Sequence, residues 1–166
     1  MNYSKQEQVI IKDGKEYLKV IREFKRERMH LVEEYSEEPT PASLTFNETK
    51  GKSLSQIERF NDYTLKREMI LKRIEMFNKV IDDFTLKTFM LSTRERQIIQ
   101  VYMDAKSYGE MILNLEESVY ISESTYKREL PNICIHLSSY INFQNIPSLE
   151  EINQRFYQEF QAMRHY

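Results

Sequence analysis

Within the stretch "ISESTYKREL", Ser122, Glu123, Ser124, Thr125, Lys127 and Arg128 bring hydroxyl, carboxylate, amine and guanidinium groups close together along the chain. These are the groups that donate to phosphate oxygens and to base edges in a DNA major groove. Ser122 stands where a helix N-cap belongs. Behind it Tyr126, Leu130, Ile133, Leu137 and Ile141 recur at helical spacing as an inner apolar stripe. That leaves Glu123, Ser124, Lys127 and Arg128 facing outward, with Thr125 in the first turn. A capped helix with a solvated outer face has the same pattern, so these residues alone leave both readings open. Pro131 lacks an N–H and clashes with the carbonyl of Lys127, a combination that costs about 3 kcal/mol in a helix interior. The expectation is a reading helix that ends near Leu130 and a second helix started by Pro131.

Catalytic chemistry finds little to work with. His30, His136 and His165 are dispersed along the chain, with no carboxylate or nucleophile motif beside them. Cys134 and His136, two apart on a helix, point to different faces. Three scattered glycines cannot build a phosphate-cradling loop. The single cysteine excludes an intrachain disulfide and the multi-cysteine zinc motifs; it suits a reducing compartment and reads as a small buried apolar residue. The expectation is a protein that is not an enzyme and needs no cofactor or metal.

Charge narrows the binding chemistry. The 166 residues carry a net charge of −2, with 30% charged residues and no tryptophan, so any nucleic-acid footprint must be local. Glu123 and Glu129 offset Lys127 and Arg128. Phosphate attraction is therefore expected partly from Arg94, Arg96 and Lys106, and from Lys66, Arg67, Lys72, Arg73 and Lys79 on a preceding helix.

The elements that must position these residues are helical. Glycine and proline are scarce, while Leu, Ile, Glu, Lys and Arg dominate. Four Ser-x-x-Glu capping boxes, at Ser55, Ser92, Ser107 and Ser148, mark helix starts. A first helix is predicted from about Lys15 to Tyr35 on the spacing of Tyr17, Ile21, Phe24, Leu31 and Tyr35, within an N-terminal segment 1–35. The chain before Lys15 fits either helix or extended structure. Residues 36–54, with two prolines and no period, read as a loop or linker. A long amphipathic helix occupies 55–90, with Ile57, Phe60, Tyr63, Ile70, Ile74, Phe77, Ile81 and Phe84 on one face. The two long helices are expected to pack as an antiparallel hairpin or to pair between subunits.

Region 91–141 supplies two further short helices, about Thr93–Ala105 and Tyr108–Glu116, a turn at "ESVY", and the capped helix from Glu123. That is the order of a helix-turn-helix with a supporting helix in front. Residues 142–166 add a C-terminal helix with Leu149, Ile152, Phe156, Phe160 and Met163 aligned.

The block "LSTRERQIIQVYM...LNLEESVYISESTYKRELPNICIHLSSYI", preceded by "LKREMILKRIEMFNKVIDDF", resembles the ArpU/RinA-type regulators of phages of Gram-positive bacteria. The resemblance covers roughly 53–141, and in it Ser122, Thr125 and Arg128 fall on an I-S-x-x-T-x-x-R pattern shared by many sigma-like helix-turn-helix domains. The stretch "DAKSYGEM", the glycine-free turn and the tail after Asn142 depart from the pattern. The resemblance implies a C-terminal domain similar to region 4 of sigma factors; with the helices read above, the expected fold is all-α, a long N-terminal helical hairpin followed by that domain and an extra C-terminal helix. It also implies a sequence-specific activator of phage late genes for packaging, morphogenesis and lysis, acting on double-stranded DNA with host RNA polymerase in the bacterial cytoplasm. Homo-oligomerisation is expected and a membrane is not, since the N-terminus has no apolar core and no apolar run approaches the roughly 18 residues a span needs. The competing expectations are a helical protein-interaction adaptor or antagonist without DNA binding, and a DNA-packaging subunit.

Overall fold

The computed structural model describes residues 2–37, 53–146 and 148–164, without the side chains of 53–56, 163 and 164. Among these residues the chain is all-helical, as expected. The helices are α1 (Lys5–Glu37), α2 (Ser53–Thr88), α3 (Thr93–Asp104), α4 (Tyr108–Asn114), α5 (Glu123–Ser138) and α6 (Leu149–Arg164). Leu115–Val119 form a π-helical turn that continues α4. Most of the expected 36–54 loop lies outside the described residues.

Local chemistry sets the boundaries. Ser92 and Glu95 form a complete capping box at α3, and Ser148 and Glu151 exchange the same pair of bonds at α6. At α4 the Ser107 hydroxyl accepts from the Glu110 N–H, but the Glu110 carboxylate accepts from the Lys106 N–H one residue earlier. α2 begins at Ser53, so Ser55 is not its first residue. Ser4 caps the first turn of α1 by accepting from the Glu7 N–H, which resolves the segment before Lys15 as helix.

α1 and α2 lie antiparallel. Tyr17 meets Phe84, Phe24 meets Phe77 edge-on at 5.3 Å, and the Arg67 guanidinium caps the far end over the Tyr35 ring at 3.7 Å. Of the expected stripes, Tyr17, Ile21, Phe24 and Leu31 are buried on α1, and Ile70, Phe77, Ile81 and Phe84 on α2. Ile57 and Phe60 are exposed. α6 closes over α2: Ile152 is buried, Arg73 reaches Asn153 and the Phe156 ring, and Lys72 pairs with Glu159 at 3.6 Å. Leu149, Phe156 and Phe160 are half-buried; the Met163 side chain lies outside the described residues.

α3, α4 and α5 share one core with α1. Ile98, Ile99, Met111, Leu115, Ile121, Tyr126, Ile133 and Leu137 are buried together with Tyr17, Leu18 and Ile21 of α1. Gly14, inside α1, is the crossing point: it lies against Cys134 of α5 and the Phe143 ring, so close that a Cβ there would stand 2.8 Å from the Cys134 Cβ.

Burial holds several ionisable groups neutral. It pushes the Tyr17 phenol up to about 12 and the Cys134 thiol up to about 11, and raises Tyr126 further still. In the unfolded chain these groups lose protons near about 8.5 for the thiol and about 10 for the phenols. The stability they contribute is therefore complete below the unfolded values and is lost as pH rises through the folded ones. The melting temperature, followed by circular dichroism, should hold from neutrality to about pH 8 and fall steadily between about pH 9 and 12. A flat profile across that window would contradict the assigned burial.

Candidate nucleic-acid interface

Ser122 has extended backbone, and its hydroxyl accepts from the Thr125 N–H at 3.3 Å, starting α5 as the sequence predicts. The Ser122 hydroxyl also lies 3.0 Å from both the Ser124 and Thr125 hydroxyls. Tyr126 is buried and anchors the helix, so Ser124, Lys127 and Arg128 are exposed, with Glu123 and Thr125 half-exposed. The free α5 N–H groups add a partial positive charge at this end.

Two ion pairs edge the surface. Lys127 Nζ meets Glu123 Oε1 at 3.2 Å, and the same carboxylate accepts from the Tyr108 hydroxyl at 2.7 Å. These two donors, Tyr108 first, hold the Glu123 carboxyl below its ordinary range. Arg94 of α3 pairs with Glu129 at 2.7 Å. Arg128 makes no ion pair among the described residues and is the least committed cation on the helix.

The expectation for Pro131 is corrected. α5 runs unbroken from Glu123 to Ser138 with Pro131 inside it. The Lys127 carbonyl forgoes its helical partner, and the burial of Ile133, Cys134 and Leu137 on the far side of the proline offsets the loss. What limits access to α5 is α1. Gly14 packs on Cys134, and the Tyr3 hydroxyl donates to Asn132 Oδ1 at 2.9 Å, so the N-terminal part of the chain packs along the second half of α5 while Ser124, Lys127 and Arg128 in its first turns stay exposed.

Not every expected cation gathers here. Arg94 joins the α5 face through Glu129. Arg96 lies instead over the Phe89 ring at 5.1 Å, in a groove between α2 and α3 that Lys25 also lines. Lys106 sits in the α3–α4 connection, its backbone tied to Glu110 and Arg26. On α2, Lys72 and Arg73 are engaged with α6 and Arg67 with Tyr35.

α1 supplies cations that the sequence pattern alone does not bring together. Once the helix continues through Gly14, Lys12, Lys15, Lys19, Arg22 and Arg26 fall on one side at spacings of three and four. Lys15 and Arg22 adjoin Tyr108, Tyr126 and Leu130, and Arg26 donates to the Ala105 carbonyl at 3.1 Å. The stripe thus flanks α4 and α5. It offsets a local excess of acid, since residues 108–138 carry five carboxylates and two cations.

Tyr120 is the other feature that sequence reasoning misses. Between the π turn and α5 it adopts φ 60 and ψ 39, the left-handed region, with its side chain 87% exposed. Its N–H and that of Ile121 both donate to the Leu115 carbonyl, which closes the turn. Left-handed backbone costs a non-glycine residue about 1–2 kcal/mol, and glycine gives back about 0.5–1 kcal/mol in unfolded-state entropy. Tyr120→Gly should therefore stabilise the protein by up to about 1 kcal/mol, seen as a higher urea midpoint at unchanged m. A lower midpoint would mean that Tyr120 makes contacts which outweigh its backbone strain.

No family model, curated protein or solved structure matches the chain. Its class is defined by its own helices: an all-helical protein in which a capped, partly exposed helix stands on a core shared with a long N-terminal helix. No helix among the described residues is long and apolar enough to cross a membrane. No group of three His, Cys, Asp or Glu side chains among them is placed to hold a metal ion.

Proposed function

We propose that this protein binds a specific duplex DNA site through a helix-turn-helix made of α4 and α5, with α3 as its supporting helix, and regulates transcription there. The observation that carries it is the capped N-terminus of α5, which presents Ser124, Lys127 and Arg128 outward from the core that α3, α4 and α5 share with α1. Such an arrangement, with a tight turn before the second helix, suits insertion into a major groove. Together with the resemblance to the ArpU/RinA-type regulators, it favours a phage late-gene activator working with host RNA polymerase in the bacterial cytoplasm. Binding as a homo-oligomer would double a footprint that is small in one chain.

Salt-dependent binding to duplex fragments from the protein's own genetic neighbourhood, against an unrelated competitor, tests the proposal. The expected result is preference for one fragment and affinity that falls steeply with salt. Equal, weak binding to all fragments by folded protein would defeat it.

One feature favours a second reading, the protein-interaction adaptor. Leu86, Phe89 and Met90, at the corner between α2 and α3, are 67%, 60% and 59% exposed, an apolar patch of the kind that partners cover. Failure of the DNA test would turn attention to this corner.

A further inference from the structure

Between α1 and the α4–α5 pair lies a cavity of about 260 Å³ whose polar lining is Lys15, Arg22, Tyr102, Tyr108 and Tyr126. No carboxylate lines it. Arg22 lies over the Tyr102 ring at 4.4 Å, and its buried Nε has no hydrogen-bond partner. The Tyr102 and Tyr126 hydroxyls likewise have no partner among the described residues, and burial keeps both phenols protonated as donors. Lys12, Lys15 and Lys19, all exposed and without ion pairs among the described residues, border the mouth along α1.

A buried guanidinium nitrogen and two phenol hydroxyls beside a lysine have spare donors, and the lining holds no anionic group to accept from them. A small oxyanion supplies what is missing, and phosphate does so with several acceptor oxygens at once. We propose that this seam is a phosphate-binding site, in which Arg22 and Lys15 provide the charge and the Tyr102 and Tyr126 hydroxyls the neutral donors.

Two sources of that phosphate fit the position. One is the backbone of duplex DNA: the seam borders the exposed end of α5 through Tyr108, and Lys12 and Lys19 would follow the same strand. The other is a free phosphate or phosphorylated metabolite, which would touch Tyr108 and so reach the Glu123–Lys127 pair that Tyr108 helps to hold. The first source rests on the reading of α5 as a DNA-contacting helix; the existence of the site does not.

The test is a nitrogen-15 NMR titration of the full chain with sodium phosphate, against sodium chloride at matched ionic strength, followed by a titration with duplex DNA. Phosphate is expected to shift the amides of 12–22, 102–108 and 126–130 in a saturable manner. Arg22→Gln should weaken that response at least tenfold. Tyr126→Phe, which removes only a hydroxyl and preserves the packing, should weaken it several-fold. If the seam responds to duplex but not to free phosphate, and Lys12, Lys15 and Lys19 changed to glutamine lower the salt slope of DNA binding by about 0.9 for each phosphate no longer neutralised, the occupant is the DNA backbone. Saturable phosphate binding by a protein that ignores DNA would uphold the site and defeat the DNA reading. DNA binding that is unchanged in all these variants, with no phosphate response, would overturn the site and leave the DNA reading intact.

Discussion

Gly14→Ala should lower the melting temperature by up to about 8 °C, although alanine is the better helix former. The gain in propensity is about 1 kcal/mol, because glycine in a helix interior is that much less favourable. The added methyl carbon would lie 2.8 Å from the Cys134 Cβ, 3.0 Å from its Sγ and 3.1 Å from Cε2 of Phe143. The Cβ of Cys134 cannot rotate away, because it is fixed to the α5 backbone. Relief requires α1 and α5 to separate, and overpacking of this kind costs about 1–3 kcal/mol. The same crossing carries Leu18 and Ile21 into the core shared with α5, so a shift at Gly14 is felt along the seam. Cys134→Ala in the Gly14→Ala background removes the clash with sulfur but keeps the 2.8 Å approach to the Cβ, so it should restore only part of the stability. Thermal unfolding of the parent and the variants decides the matter, and an unchanged or raised midpoint for Gly14→Ala would show that the crossing has slack.

That glycine also marks where the sequence stops being legible. Composition, capping boxes and periodic apolar residues are enough to predict an all-helical chain and the starts of α3, α4, α5 and α6, because those signals act within a few residues. Gly14 and Pro131 are residues that usually interrupt helices, and they suggest boundaries near Lys15 and Leu130. Both lie inside helices, since burial of Ile11 before the one and Ile133, Cys134 and Leu137 after the other outweighs the local cost. Tertiary packing of that kind is invisible to a local reading. The α1 stripe is hidden for the same reason: without a helix through Gly14, Lys12 has no fixed relation to Lys15 and Lys19.

Among the expected site residues, those near one another in sequence prove to be near one another in space. Ser122, Glu123, Ser124, Thr125, Lys127 and Arg128 need only a helix cap to align them, and α5 supplies it. Arg94, Arg96 and Lys106 depend on how α3 sits on its neighbours, and only Arg94 reaches the α5 face. Tyr108 falls at a predicted helix start, but nothing local could show that its hydroxyl meets Glu123, fifteen residues away.

Replacing Lys127 and Arg128 together with alanine should reduce affinity for the cognate duplex about tenfold to a few hundredfold, with helical content unchanged. Both side chains are exposed, so their loss removes no core packing, and alanine raises the helix propensity of α5 slightly. The two cations should fail differently. Arg128 has no competing carboxylate partner among the described residues, so its guanidinium is free to make paired bonds to a guanine edge; its loss alone should cost about 1–3 kcal/mol and relax the preference for one fragment. Lys127 must first release Glu123, a carboxylate already held below its ordinary range by Tyr108 and by Lys127 itself. Part of what Lys127 gains on a phosphate it therefore loses at Glu123, and its single replacement should cost less than that of Arg128. Glu123→Gln removes that competition and one like-charge repulsion against the DNA, and should tighten binding to every duplex alike. Anisotropy titrations of the parent and these variants at two salt concentrations separate the outcomes. Retained affinity in the double variant would remove α5 from the interface, while a loss shared equally by cognate and unrelated duplexes would assign both residues to the phosphate backbone rather than to the bases.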